Sequence, residues 1–302
     1  MATKSGTNGE PADFRNWTST IHKDTYPAIS SRDGASNHDG RAVLVTGGAA
    51  GIGRATVLSF ARAGASHIAA LDKADFGALE HDIEEAAKAC GKAKPTILCL
   101  VVDVLDRAAL AEAATKVEKS FGKLDFLLNN AGKIEPYVPL LDSDPDSWWK
   151  TWEVNIGGVA NVTRAFLPLL LRSTSGLQTI INTSSLAALT LQPGGSAYQG
   201  TKLALVRWTE YLNLDYGAKG ILAYCIAPGA IMTQLGSGTP KELHHLLQDT
   251  VELPADSVVW LTQVRREWLA GRWVSCNWDM PEFVGREKEV VEANKLKVVV
   301  NF

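Results

Sequence analysis

The chain of 302 residues lacks the features that mark several large classes of protein. Its 30 basic and 33 acidic side chains leave no basic excess, whereas a general nucleic-acid binder normally has one. No run of about 20 apolar residues is present, so we expect no membrane-spanning helix and no membrane partner. The four cysteines are scattered without a C-x-x-C pair. We therefore expect no disulfide framework and no bound metal, and a reducing compartment, the cytoplasm.

Segments with strand-like and helix-like patterns alternate through the middle of the chain. The predicted strands cover residues 42–45, 67–71, 96–102, 124–128, 179–182, 221–227 and 273–276. The main predicted helices cover residues 51–63, 107–121, 146–171, 197–216 and 254–269, with helical spacing also at 76–87. The run at 96–102 predicts a strand buried on both faces, and Pro168 predicts a bend or an end in its helix. The alternation predicts an α/β fold with one doubly wound, Rossmann-type domain, a parallel sheet and helices on both faces.

The two ends of the chain depart from this alternation. Residues 1–40 are polar and lack periodicity, so we expect an extension that is partly flexible and pinned by aromatic side chains such as Phe14 and Trp17. The catalytic domain is predicted to cover residues 41–279, and residues 280–302 to form a tail or docking arm. Within the domain, residues 234–253 carry glycines and a short helical pattern, which favours a lid over the site.

A glycine-rich turn follows the first predicted strand and precedes the first predicted helix. Its sequence is Thr46-Gly47-Gly48-Ala49-Ala50-Gly51-Ile52-Gly53. Glycine lets the main chain approach a ligand closely, and the helix N-terminus offers free N–H groups to a pyrophosphate. An isolated turn of this type is also an ordinary tight turn, but the strand–turn–helix context favours a nucleotide site.

Acidic residues at the ends of the next two strands fit an adenosine moiety. Asp72 is placed to accept hydrogen bonds from ribose hydroxyls and to repel a 2′-phosphate, which favours NAD over NADP. Lys73 follows directly and weakens this preference. Asp103, with Val104 beside it, is a candidate for contact with the adenine amino group.

Three side chains later in the chain suggest proton-transfer chemistry. Tyr198 and Lys202 are four residues apart on a predicted helix, so the ammonium can lie near the phenol and lower its pKa. Such a pair also occurs by chance on helix surfaces. Ser185 follows a predicted strand and is placed to bind a substrate oxygen, although Ser184 is an equal candidate by chemistry alone.

With these motifs, the sequence resembles the short-chain dehydrogenase/reductase family over about residues 41–279. Its two ends resemble a fungal secondary-metabolism subgroup of that family. The glycine turn matches the family's T-G-x-x-x-G-I-G, and Asn129-Asn130-Ala131-Gly132 matches its N-N-A-G. The spacing of thirteen residues before Tyr198 favours Ser185 over Ser184. The other residues that the resemblance implies at the site are Asn155, Pro228, Gly229, Ile231 and Thr233.

The resemblance implies an NAD(P)-dependent oxidoreductase that transfers hydride between nicotinamide and a secondary alcohol or ketone. Tyr198 would be the acid/base, Ser185 would orient the oxygen, Lys202 would lower the tyrosine pKa and bind the nicotinamide ribose, and Asn155 would hold a relay water. The substrate would be a small molecule such as a fungal secondary metabolite, and the assembly a homodimer or homotetramer. Two alternatives stay open: a non-redox dehydration or isomerisation at the same site, and a non-catalytic nucleotide sensor.

Overall fold

The computed structural model describes residues 17–33 and 36–300, and within them seven parallel strands form one sheet. The strands are β1 (Ala42–Thr46), β2 (His67–Asp72), β3 (Thr96–Val101), β4 (Phe126–Asn129), β5 (Thr179–Thr183), β6 (Leu222–Ala227) and β7 (Trp273–Ser275). Their order across the sheet is β3-β2-β1-β4-β5-β6-β7, so the direction of winding reverses between β1 and β4. This is the doubly wound α/β topology that the alternation predicted. In such a sheet, ligands bind beyond the carboxyl ends of the strands at the reversal.

Helices follow most strands and cover both faces of the sheet. They are α1 (Gly51–Arg62), α2 (Leu79–Ala89), α3 (Arg107–Phe121), α4 (Pro145–Trp152), α5 (Val159–Leu171), α6 (Ser196–Tyr216), α7 (Glu252–Thr262), α8 (Met280–Gly285) and α9 (Glu287–Glu292). One apolar cluster includes Phe60 of α1, and the other includes Phe166 of α5, both fully buried. As predicted, Asp106 caps α3 by accepting from the amides of Ala108 and Ala109.

The prediction that the 96–102 strand is buried on both faces is wrong. β3 is the outermost strand of the sheet, and its side chains are half-buried or exposed, with Val101 61% exposed. Its alternate residues still pack on the two apolar clusters. The apolar run therefore reflects partial cover on each face of an edge strand, which the residue pattern does not distinguish from full burial.

The long helix before β5 continues past Pro168 to Leu171, so the proline lies in its last turn. The irregularity lies earlier, in a π-helical segment Glu153–Gly158 between α4 and α5. Gly158 lies where an added Cβ would come within 2.5 Å of the Val104 side chain. The run Pro145–Leu171 is long and apolar enough to cross a membrane by length and composition, but Val162, Phe166 and Leu170 are buried in the core.

The helix expected over residues 254–269 ends at Thr262. The guanidinium of Arg266 folds back onto this end and donates to the carbonyl oxygens of Leu261 (2.6 Å) and Val264 (3.1 Å). The carbonyl groups at the end of a helix need such partners. The chain then turns through a short 3₁₀ segment, Glu267–Leu269, into β7.

The described parts of the two chain ends pack on each other. The Trp17 ring lies under the Arg286 guanidinium (4.1 Å) and near the Lys295 ammonium (5.0 Å). Tyr26 Oη accepts a 2.7 Å hydrogen bond from the Met280 amide. The C-terminal segment, residues 280–300, packs against the catalytic domain of the same chain, where the Trp273 amide donates to the carbonyl oxygen of Leu296. Phe14, the other expected anchor, lies outside the described residues.

Candidate active site

A cleft opens at the carboxyl ends of β1, β4, β5 and β6, where the winding of the sheet reverses. It brings together many of the residues singled out from the sequence: Gly47, Gly51, Ile52, Asn130, Ala131, Gly132, Tyr198, Lys202, Pro228 and Thr233. Ala50, Thr183, Ser184, Gln234 and Leu235 complete the lining. The motifs are far apart along the chain, and the sheet places them around one space.

The glycine-rich turn forms the floor of the cleft. Gly47 and Gly51 have φ values of +68° and +53°, which side-chain-bearing residues rarely adopt. A Cβ on Gly53 would overlap the carbonyl oxygen of Gly47. No capping side chain and no acidic residue occupies the first turn of α1. Its free N–H groups and positive dipole end therefore fit the pyrophosphate of a dinucleotide.

The acidic candidates lie beside the cleft rather than in its lining. Asp72 is half-buried at the end of β2, and its carboxylate accepts from the amides of Ala49 and Ala74, each at 3.0 Å. Asp72 is thereby tied to the glycine-rich turn, while Lys73 is exposed. Asp103 is exposed after β3 and accepts from the Leu105 amide, and Val104 packs against Gly158.

The Asn-Asn-Ala-Gly segment connects the turn to the rest of the cleft. Asn130 Nδ2 donates to Thr46 O at 2.9 Å, and the amides of Asn130 and Ala131 both donate to Thr46 Oγ1. A Cβ on Gly132 would lie 3.4 Å from Asn155 Oδ1 and 3.7 Å from Lys202 Nζ. The absence of a side chain at Gly132 keeps the approach to these two groups open.

The two adjacent serines after β5 have different partners. Ser184 Oγ donates to the carbonyl oxygen of Lys202 and is buried, so it ties β5 to α6. Ser185 Oγ accepts from the Ala187 amide at 3.1 Å, and the interaction of the Ser185 side chain with the phenol lowers the pKa of Tyr198. The hydroxyl next to the phenol is therefore that of Ser185.

Burial dominates the electrostatics of Tyr198 and Lys202. Tyr198 is 9% exposed, and burial raises its pKa, while the hydrogen bond with Ser185 lowers it and the charge of Glu135 raises it further. Burial lowers the pKa of Lys202 to about 8. The Lys202 ammonium lies 5.6 Å from the centre of the Tyr198 ring, and the expectation that it lowers the tyrosine pKa stays a prediction.

Asn155 lies in the π-helical segment and is fully buried. Its Oδ1 accepts from the Lys133 amide, and its Nδ2 donates to the Lys133 carbonyl oxygen. Nδ2 also donates to Thr201 Oγ1 at 3.0 Å. Lys202 Nζ donates to Thr183 O at 2.8 Å. Asn155 therefore joins α6 to the loop after Gly132.

The segment after β6 is held by Asp249, a residue that sequence reasoning missed. Asp249 Oδ2 accepts from the Ala230 amide at 2.6 Å and from Asn277 Nδ2 at 2.9 Å. It occupies the space where a Cβ on Gly229 would lie, and Gly229 has a φ of +114°. Ile231 pairs with Asp249 through the backbone. Nothing in the local sequence marks Asp249, because its partners lie 19 and 28 residues away.

Replacing Asp249 by Ala is expected to lower the free energy of unfolding by about 1–3 kcal/mol, because it removes two hydrogen bonds from half-buried donors to a charged group. NADH affinity is also expected to fall, since the segment from Pro228 to Thr233 loses its anchor. Chemical denaturation and an NADH binding titration measure the two effects. Glu242→Ala, a change at an exposed position in the stretch 234–253 that also contains Asp249, serves as the control. Unchanged values for Asp249→Ala would contradict this role.

A pH dependence of stability follows from Lys202. The unfolded lysine keeps its proton up to its ordinary pKa of 10.5, whereas the folded one loses it near 8. Below pH 8 the buried charge destabilises the fold, and this cost disappears as the pH rises from about 8 to 10.5. We therefore expect nucleotide-free Lys202→Met to be more stable than wild type at pH 7, with a difference that shrinks across that range. Denaturation curves at several pH values test this, and a pH-independent difference would refute it.

The glycine-rich turn and the cleft beside it have the features of a dinucleotide-binding site in a doubly wound fold. Residues 41–243 match the family model for short chain dehydrogenases, so the chain belongs to the short chain dehydrogenase family. It is 47% identical to the short chain dehydrogenase citE of Monascus ruber over 93% of this chain and 95% of that protein. It is 40% identical to pigC of the same organism, over 95% and 94% of the two chains. These relatives confirm the fungal resemblance.

Solved structures agree with this fold. Carveol dehydrogenase from Mycobacterium avium, in complex with NAD, matches with a TM-score of 0.69 and 19% identity, over 80% of this chain and 96% of that one. Levodione reductase matches with a TM-score of 0.69 and 24% identity, over 80% and 97%. At these identities the likeness concerns the fold alone. Family membership supports an oxidoreductase that uses a nicotinamide nucleotide.

Proposed function

We propose that this chain is an NAD-preferring dehydrogenase or reductase that interconverts a secondary alcohol and a ketone, with Tyr198 as its acid/base. The observation that carries the proposal is the group formed by buried Tyr198 and Lys202 and half-buried Ser185, beside a glycine-rich turn whose shape suits a dinucleotide. A bound nicotinamide nucleotide supplies or accepts the hydride. The glycine-rich turn would hold its pyrophosphate and Asp72 its adenosine ribose.

The site residues of the chain then have distinct roles in the reaction. Ser185 holds the substrate oxygen, and Tyr198 gives its proton to that oxygen during reduction or takes it during oxidation. Lys202 would bind the nicotinamide ribose hydroxyls, and its charge would favour the phenolate when a nucleotide fills the site. Asn155 keeps Thr201 and the Lys133 backbone in place, so that a relay water can reach Lys202. Asp103, Val104, Ile231 and Thr233 complete the nucleotide contacts.

Residues 234–253 are assigned as the lid. Leu235 lies against Gly132, and Thr233 lies against Gly51, where an added Cβ would be 3.3 Å away. The N-terminal segment holds the far end of the lid, because the Thr250 amide donates to Lys23 O and Lys23 Nζ donates to Gln248 Oε1. A closed lid would exclude water during hydride transfer.

The proposal extends to substrate, assembly and location. The fungal relatives favour a secondary metabolite as the substrate. Exposed apolar side chains along α4 and α6, such as Trp149 and Leu214, favour a homodimer or homotetramer, which analytical ultracentrifugation measures. The four free thiols fit the reducing cytoplasm.

The test is a screen of ketones with NADH and of secondary alcohols with NAD, followed by absorbance of the reduced nicotinamide. Turnover that depends on nucleotide and on Tyr198 supports the proposal. Nucleotide binding without turnover on any carbonyl or alcohol would favour a sensor. Product formation without net change in NADH would favour dehydration or isomerisation.

A further inference from the structure

The loop after Gly132, residues 133–138, is pressed onto the turn that precedes the tyrosine helix. A Cβ on Gly194 would lie 2.5 Å from the backbone of Tyr137 and Val138, and Gly194 has a φ of +79°. A Cβ on Gly195 would lie 3.0 Å from the ring of Tyr137. The two glycines therefore permit a close approach between this loop and the start of α6.

Glu135 makes the polar connection across this contact. It is 3% exposed, and its Oε1 accepts a 2.9 Å hydrogen bond from the backbone amide of Tyr198. This amide is one of the first N–H groups of α6, which have no partner within the helix. A carboxylate at that end also interacts favourably with the helix dipole.

The second oxygen of Glu135 shows that helix capping alone does not explain the residue. Oε2 is buried and has no hydrogen-bond donor in the described part of the chain. A buried acceptor without a donor destabilises a fold, and a glutamine of the same length would satisfy the amide without a buried charge. Capping of α6 therefore explains one oxygen of Glu135 but not its charge.

Several charged and titratable groups surround the phenol of Tyr198. Lys202 lies on the same helix, Ser185 comes from the β5 side, and Glu135 and Tyr137 come from the loop. Of these, Glu135 is the carboxylate. Burial is the main reason why the pKa values of Tyr198 and Tyr137 are raised, and the charge of Glu135 adds a smaller increase to both. Glu135 therefore acts on the phenol through the backbone and through its charge.

We propose that Glu135 is a positioning residue of the reaction. It fixes the backbone of Tyr198, keeps a negative charge beside the phenol, and makes the 133–138 loop and the reacting phenol move as one unit. This inference rests on the proposed function, because it assigns Tyr198 as the acid/base. A substrate that orders the loop would thereby also order the tyrosine.

Two variants separate the two actions of the carboxylate. Glu135→Gln keeps an acceptor for the Tyr198 amide but removes the charge, and Glu135→Ala removes both. Glu112→Gln, at an exposed position on α3, is the matched control. The readouts that need no substrate are hydrogen exchange of a peptide covering residues 196–201 and ultraviolet titration of Tyr198, taken as the difference from Tyr198→Phe. The third readout is the pH profile of kcat and KM with an active alcohol from the screen.

Glu135→Ala is expected to speed exchange at the start of α6 and to lower kcat by roughly tenfold to a hundredfold, the order expected for a misplaced reacting group. Glu135→Gln is expected to keep wild-type exchange and to shift both the tyrosine titration and the alkaline activation of alcohol oxidation to lower pH. If Glu135→Ala does not fold, the titration shift in Glu135→Gln decides the question.

The proposal is overturned if Glu135→Gln titrates as wild type does, or if Glu135→Ala leaves exchange and kcat unchanged. A purely structural role would lower the melting temperature of Glu135→Ala without moving the tyrosine titration or kcat. If the wild type turns over no alcohol or ketone, the proposed function fails, while exchange and titration still test the effect of Glu135 on Tyr198.

Discussion

Tyr198→Phe is expected to lower kcat by about 10²–10⁴-fold, the range that general acid/base groups contribute. The substitution removes one hydroxyl from a ring that is 9% exposed, so the packing of α6 changes little. What is lost is the hydroxyl that interacts with Ser185 and that we propose exchanges the proton of the substrate oxygen. The measurement is steady-state turnover with a saturating carbonyl substrate and NADH.

NADH affinity is expected to change much less than kcat, because the glycine-rich turn and Asp72 are untouched. Tyr211→Phe is the matched control, since it removes a phenol from the same helix at a position that is 55% exposed. Wild-type turnover in Tyr198→Phe would remove the acid/base assignment. An equal loss of kcat in Tyr211→Phe would show that the loss does not report on the site.

Asp72→Asn is expected to reduce the preference for NADH over NADPH by roughly tenfold to a hundredfold. Two unit charges 4 Å apart repel by about 1 kcal/mol in water and about 4 kcal/mol near a protein surface. An amide removes that repulsion, and its single oxygen can still accept from one of the two backbone amides that the carboxylate holds, those of Ala49 and Ala74. The measurement is the ratio of the dissociation constants for NADH and NADPH in the wild type and the variant.

Two further variants make the interpretation specific. Asp103→Asn removes an exposed acid at the end of the next strand, and it is expected to affect both nucleotides equally, because the adenine is common to them. Lys73→Ala is expected to increase the preference for NADH, since this lysine offsets part of the repulsion. An unchanged ratio in Asp72→Asn would show that another residue selects the nucleotide.

The local and periodic features were predictable from the sequence. The alternation of strands and helices, the cap at Asp106 and the glycine-rich turn depend on neighbours within a few residues, and the fold contains all three. The end of α7 was not predictable, because Arg266 folds back onto carbonyls that the pattern treats as helical. The exposure of β3 depends on its place at the sheet edge, which composition does not encode.

The roles of residues whose partners are distant along the chain were also not predictable from the sequence. Asp249 and Glu135 bond to amides 19 and 63 residues away, and each is a single acid in an unremarkable segment. The raised pKa of Tyr198 was missed for a related reason. The spacing of Tyr198 and Lys202 shows a nearby cation, whereas burial is a property of the assembled fold.

The most direct test of the account is nicotinamide binding by the wild type and by Gly53→Val. Energy transfer from tryptophan to the nicotinamide is followed during titration with NADH and then with NADPH, and no substrate is needed. We expect saturable binding to the wild type with NADH preferred, and loss of binding in Gly53→Val, where the new side chain would overlap the Gly47 carbonyl oxygen. Failure of the wild type to bind either nucleotide would contradict it, and so would equal binding by the two proteins.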